Sequence, residues 1–149
     1  TVERVESTAE MLDGVRAHAG DADALVSAAA ISDYTVAETS DEKLRSGQQR
    51  TLELEPTPKL IDTVREEFPD VTVVGFKLET SGDDDALTEL AREQLRRAGL
   101  AFVVGNHADA LGGDETRTLF VREDYVAGFR GTKTELGLRI TEELAVELD

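Results

Sequence analysis

Residues 71–104 read VTVVGFKLETSGDDDALTELAREQLRRAGLAFVV. The run from Val71 to Phe76 is short, apolar and rich in β-branched residues, as in a strand covered on both faces. Its end carries Lys77, Glu79 and Thr80. Gly82 and the acids Asp83 to Asp85 then lead into a helix expected from about Asp84 to Ala98. The acids complement the helix dipole, and Gly99 supplies the stop. A second buried strand follows at Leu100 to Val104, closed by Gly105-Asn106-His107. Strand, helix and strand at this spacing make a right-handed crossover between parallel neighbours.

Upstream, Thr57-Pro58 reads as N-cap and first helical position of a helix that continues to Phe68 and ends at Pro69. Before it lies the stretch Ala24–Gly47, ALVSAAAISDYTVAETSDEKLRSG. Leu25 to Ile31 is so uniformly small and apolar that a central parallel strand is expected. It delivers Ser32-Asp33-Tyr34 to its carboxyl end and runs into a loop carrying Lys43 and Arg45. Ligands of open α/β sheets bind at that edge. An acid, an aromatic and a basic loop there suit a phosphorylated ligand with a metal ion. Thr51 to Glu55 alternates like a strand with one wet face, belonging to a hairpin or arm off the main sheet. At the amino end, Ser7-Thr8-Ala9-Glu10 has capping-box spacing, and a helix is expected from Thr8 to Ala19.

Downstream the pattern turns antiparallel. Leu111-Gly112-Gly113-Asp114 is a turn, Thr116 to Val121 a strand, Arg122-Glu123-Asp124 a polar turn, and Tyr125 to Phe129 pairs back. Thr132-Lys133-Thr134-Glu135 is a second capping box, opening a helix with Leu136, Ile140 and Leu144 on one stripe. The expected fold class is α/β: a Rossmann-like three-layer parallel sheet with a C-terminal antiparallel hairpin, one domain over residues 1–149.

Composition narrows the chemistry. The chain has no cysteine, which removes disulfides, a thiol nucleophile and Cys-ligated zinc, and it has only two histidines. Against 16 Lys plus Arg stand 32 Asp plus Glu, a net charge of −16, so nucleic acid is a poor partner. No apolar run reaches the length of a membrane span, and the expectation is a soluble, cytoplasmic protein without a membrane partner. The acids are dispersed over helical faces and turns. They describe an acidic surface working at high salt, where screening removes self-repulsion. A rise in melting temperature from low to molar salt is expected; a flat response would contradict the reading.

An ordered set of segments carries a resemblance. Ala28-Ala29-Ala30-Ile31-Ser32-Asp33-Tyr34, Glu42-Lys43-Leu44-Arg45-Ser46, Pro56-Thr57-Pro58-Lys59, Val74-Gly75-Phe76-Lys77-Leu78-Glu79-Thr80 and Val103-Val104-Gly105-Asn106 occur in this order. Gly112-Gly113-Asp114 and Gly131-Thr132-Lys133-Thr134-Glu135 follow them. Together they resemble phosphopantothenoylcysteine synthetase, the ligase half of the bifunctional coenzyme A biosynthesis flavoprotein, over essentially the whole chain.

The resemblance implies ligation of 4'-phosphopantothenate to cysteine through an acyl-nucleotide, with CTP and Mg2+ (ATP being the alternative) and release of pyrophosphate. FMN would belong only to a fused decarboxylase domain. By the same resemblance, Asp33 holds the metal and triphosphate, and Tyr34 and Phe76 line the nucleotide. Lys43, Arg45 and Lys59 reach its phosphates, while Lys77, Leu78 and Asn106 contact substrate, with Glu79 orienting Lys77. Read without the resemblance, Asp33 and Asn106 are turn residues, Lys43 and Lys59 solvated cations, and Lys77 a strand-end lysine snorkelling to water.

Three departures qualify it. His107 stands where the family has an acid. Gln94, with Arg92, Arg96 and Arg97 nearby, stands where many members place phosphate-binding lysines, and a plain surface helix is the better reading there. The family's Gly-Gly-Thr and Asn-x-Ser-Ser-Gly segments, with the catalytic asparagine, have no match. A fragment of a longer polypeptide, inactive alone, is therefore expected. Family members pair through the arm after the basic loop, implying a homodimer and, as a rival function, a non-catalytic nucleotide-binding or dimerisation module. A nicotinamide-dependent reductase would want a Gly-x-Gly-x-x-Gly turn that the chain lacks.

Overall fold

The computed structural model describes all residues except Thr39, Asp41, Leu44, Arg45, Gln48 and residues 108–114. In chain order its elements are α1 (Thr8–Ala19), β1 (Ala24–Ser27), β2 (Tyr34–Val36), β3 (Leu54–Pro56), α2 (Leu60–Glu67), β4 (Thr72–Glu79), α3 (Asp84–Ala98), β5 (Phe102–His107), β6 (Glu115–Val121), β7 (Val126–Thr132) and α4 (Lys133–Leu148). Five strands form one sheet in the order β1-β4-β5-β6-β7. Strands β2 and β3 pair separately. The β1–β4 and β4–β5 pairs are parallel, and the β5–β6 and β6–β7 pairs antiparallel.

Alternation along the strands divides the core in two. Val73, Val103, Leu119 and Val121 face Leu12 of α1, Leu60 and Val64 of α2, and Leu87, Ala91, Leu95 and Ala98 of α3. Val74, Phe102, Val104 and Phe120 face Leu136 and Ile140 of α4. Three layers result, as the sequence predicts: helices α1 to α3, the sheet, and α4. Gly75 lets Leu100 and Gln94 press onto β4, since a Cβ there would lie 2.7 Å from Leu100 Cδ1. Gly99 ends α3 in the left-handed conformation, φ 58° and ψ 45°.

The second capping box is complete. Thr132 accepts from the Glu135 N–H, while the Glu135 carboxylate accepts from the Thr132 N–H and hydroxyl, and those last two bonds hold it below its usual range. At α1, Ser7 accepts from the Glu10 N–H as expected, but the Glu10 carboxylate receives the Glu6 N–H instead of that of Ser7. Helix α4 is fastened by Arg122, whose guanidinium lies 4.7 Å from the centre of the Phe102 ring and pairs with Glu143 and Glu147. The hydrogen bond from Arg122 holds the Glu143 carboxyl below its usual range.

Three expectations need correction. Strand β1 stops at Ser27 and forms one edge of the described sheet, with Val26 38% exposed, instead of running to Ile31 at its centre. Its last partner is Gly75, and Ala28 to Ala30 continue outside the sheet, exposed. Helix α2 begins at Leu60, with Lys59 as N-cap and Thr63 N–H donating to its carbonyl, because Thr57 is otherwise engaged. Strands β4 and β5 run on past Phe76 and Val104 through Glu79 and His107, so Lys77 to Glu79 are paired strand residues, and Asn106-His107 pair in the strand instead of forming the turn after it.

Candidate functional site

The carboxyl ends of β1, β4 and β5 share one edge of the parallel part of the sheet. The chain leaves β1 through Ser32 and Asp33 into the two-stranded arm, where Tyr34 pairs with Pro56 and Val36 with Leu54. Thr57 ties the base of this arm. Its N–H donates to the Asp33 carbonyl at 2.9 Å, and its hydroxyl donates to the Ser32 carbonyl at 2.5 Å. Ser32 in turn donates its hydroxyl to the Tyr34 carbonyl at 2.7 Å. These bonds fix the Asp33 backbone and bring the Thr57–Lys59 turn against it. Both bonding groups of Thr57 are used here, which explains why the helix cap passes to Lys59.

Asp33, Lys43 and Lys59 are exposed, and Tyr34 is 60% exposed. Arg45 lies outside the described residues, as does the Gly112-Gly113-Asp114 segment. Among the described residues no group of three or more His, Cys, Asp and Glu side chains is arranged to hold a metal ion. A lone carboxylate still fits Mg2+, which commonly takes one or two protein carboxylates and completes its shell with water and substrate phosphates.

At β4 and β5 the alternation separates residues that adjoin in sequence. Phe76, Leu78 and Asn106 lie on the α4 face, because Val74 and Val104, two residues before Phe76 and Asn106, pack there. Phe76 is half-buried against that core, and Leu78, directly opposite Asn106, is 45% exposed. Lys77 projects to the other face and so does not join Leu78 and Asn106. Glu79 shares the face of Lys77, yet its carboxylate is turned to the chain: it accepts from the Thr80 N–H at 2.9 Å and the Ser81 N–H at 3.3 Å. Those bonds, ahead of the weaker attraction of Lys77, hold its carboxyl below the usual carboxylate range. Glu79 thus caps the turn after β4.

His107 also faces α3. Its Nε2 lies 3.1 Å from Asp84 Oδ1, and Arg117 pairs with the other oxygen of the same carboxylate. Gly82, Asp83 and Asp85 complete an open depression of about 480 Å³ around this trio. Gln94 is half-buried, its amide nitrogen 3.5 Å from the Phe76 carbonyl, and thus packs on β4. Arg92, Arg96 and Arg97 pair with Glu89, Glu123 and Asp62 respectively. Where a plain surface helix is expected, Gln94 itself turns inward onto the sheet and the three arginines carry the exposed ion pairs.

Thr118 escapes sequence reasoning. It sits in β6 directly opposite Asn106, on the α4 face, and is 1% exposed. Its hydroxyl oxygen and the Asn106 amide oxygen are buried without a hydrogen-bond partner among the described residues. A threonine inside an apolar alternating strand carries no signal of its own.

The fold defines an α/β protein with a two-stranded arm beside the carboxyl edge of its parallel strands. The chain belongs to the DNA/pantothenate metabolism flavoprotein C-terminal domain family, whose model matches residues 1–147. It is 42% identical over 143 residues to the coenzyme A biosynthesis bifunctional protein CoaBC of Thermococcus kodakarensis, covering 94% of this chain and 36% of that protein. Thus it spans about a third of that relative's length. In structure it resembles the DNA/pantothenate metabolism flavoprotein from Streptococcus pneumoniae, with TM-score 0.84 and 23% identity, covering 99% of this chain and 73% of the other. It also resembles the C-terminal domain of a CoaBC protein, with TM-score 0.77 and 26% identity, covering 100% of this chain and 67% of the other.

Proposed function

We propose that this chain is the ligase part of a coenzyme A biosynthesis enzyme, joining 4'-phosphopantothenate to the amine of cysteine. The observation that carries the reading is the family match over residues 1–147. In the proposed reaction the substrate carboxylate attacks the α-phosphate of CTP and releases pyrophosphate. Cysteine's amine then attacks the acyl carbon and releases CMP.

The residues present suit a divided task. Asp33, on a backbone clamped by Thr57, would hold Mg2+ on the triphosphate, where the ion neutralises charge as pyrophosphate leaves. Lys43 and Lys59 would meet the same phosphates. Lys59 is a cation at a helix N-terminus, where the dipole disfavours it unless an anion binds. Tyr34 and Phe76 offer aromatic faces to the nucleotide, and Leu78 with Asn106 lines the side toward the organic substrate. Lys77, on the opposite face, would act only through the field at the strand end.

The test is pyrophosphate release in the presence of CTP, Mg2+, phosphopantothenate and cysteine. The natural full-length polypeptide should release it with a strict requirement for phosphopantothenate. Residues 1–149 alone should show little or none, for want of the Asn-x-Ser-Ser-Gly segment. Release independent of phosphopantothenate in the natural polypeptide would overturn the reading, and substantial release by residues 1–149 would overturn the inactivity.

A second reading, dimerisation through the arm, is favoured by one observation. On β2, β3 and the residues leading to them, Tyr34, Leu52 and Leu54 are 56–65% exposed, an apolar set standing off the main sheet. Pairing of two arms would cover it. The same sample run in a sedimentation experiment reads this directly.

A further inference from the structure

The side-chain oxygens of Asn106 and Thr118 are buried and make no hydrogen bond among the described residues. The two residues are direct cross-strand partners, flanked in the same register by Leu78 on β4 and Phe129 on β7. Immediately beneath them lie Val104 and Phe120, both at most 3% exposed, so the floor of this position is apolar. On that floor the two oxygens stand unpartnered among the described residues. A buried polar group without a partner costs stability, whereas an apolar side chain of the same shape avoids the cost. Valine would fill the space of Thr118 equally well. A threonine gains there only when something arrives to bond it.

We propose that Thr118 is a specificity-determining residue: its hydroxyl and the Asn106 amide oxygen together receive a hydroxyl or N–H group of a bound organic substrate. The inference rests on the proposed function for the presence of such a ligand at this edge. The amide oxygen accepts only, while the hydroxyl both donates and accepts. The pair therefore suits a group that donates one hydrogen and offers an oxygen or a second hydrogen, such as an alcohol or a secondary amide. Phosphopantothenate carries both, and the nucleotide carries sugar hydroxyls and an exocyclic amine. One chemistry thus has two sources.

The test is Thr118→Val in the natural full-length polypeptide, read by thermal unfolding without ligand and by calorimetric titration with CTP plus Mg2+ and, separately, with phosphopantothenate. The expected result is a melting temperature equal to or above wild type, together with a weakening of about 2- to 10-fold toward one of the two ligands. Whichever titration weakens names the source. Thr118→Ser keeps the hydroxyl and should restore that affinity. A lowered melting temperature in Thr118→Val with both affinities unchanged would mean that the hydroxyl serves the fold, and would overturn the inference. Unchanged affinities at any melting temperature would overturn it while leaving the proposed function standing. If wild type binds neither ligand, the proposed function fails and the inference fails with it.

Discussion

Replacing Phe102 by alanine should lower the unfolding free energy by about 3–5 kcal/mol, the cost of a large cavity in a core that relaxes only in part. Phe102 is 0% exposed and lies at the centre of the α4 face, its ring centroid 5.9 Å from that of Phe120. The loss extends past the cavity. The Arg122 guanidinium rests 4.7 Å above the same ring and also carries the pairs to Glu143 and Glu147 that fasten α4. Without the ring, Arg122 loses its platform and α4 part of its attachment. Since domains have about 5–15 kcal/mol in hand, the variant should sit near the edge of folding. Urea unfolding of wild type and variant at one fixed salt concentration measures the difference. A loss below about 1 kcal/mol would show that α4 and the sheet do not form one cooperative unit. Phe129, on the outer strand β7 and only partly buried, should cost less in the same comparison.

Asp33→Asn is expected to reduce ligation by about 100-fold, the scale of removing one group that acts on transferring charge. The substitution keeps size and removes one negative charge at a position whose carboxylate is exposed. The fold should be indifferent, because Thr57 bonds the backbone of Ser32 and Asp33 and not the side chain. Pyrophosphate release by the natural polypeptide, followed as Mg2+ is raised, gives the readout. A partial recovery at high Mg2+ fits a metal-holding carboxylate. Full activity at ordinary Mg2+ would remove Asp33 from the site, and a fall in melting temperature would assign it to the loop instead.

Much of the fold is legible in the chain because the signals are local. Gly99, the Asp83–Asp85 cap and the apolar repeats of α3 act within a few residues of themselves, and that helix runs over Asp84–Ala98 as expected. The capping box of α4 is equally self-contained. What local signals miss is where a strand stops, since a strand's extent is set by its neighbours. Leu25 to Ile31 reads as one long strand, yet pairing with β4 ends at Ser27. The strands expected to end at Phe76 and Val104 run on, with Lys77 to Glu79 pairing with Gly105 to His107 across β4 and β5.

The site follows the same division. Sequence by itself determined the α/β class and the family, and put forward Asp33, Tyr34, Phe76, Leu78 and Asn106 as candidate site residues. Tertiary structure decided which of them meet. The twofold alternation of a strand, once its register is known, sends Lys77 away from Leu78 and Asn106. Long-range hydrogen bonds set Thr57 against Ser32 and Asp33, the two ends of the shorter bond standing 25 positions apart in the sequence. Antiparallel pairing of β5 with β6 brings Thr118 opposite Asn106. Strands β5 and β6 are consecutive, yet no local signal carries that last contact, because which residues meet is fixed only by the register in which the strands pair.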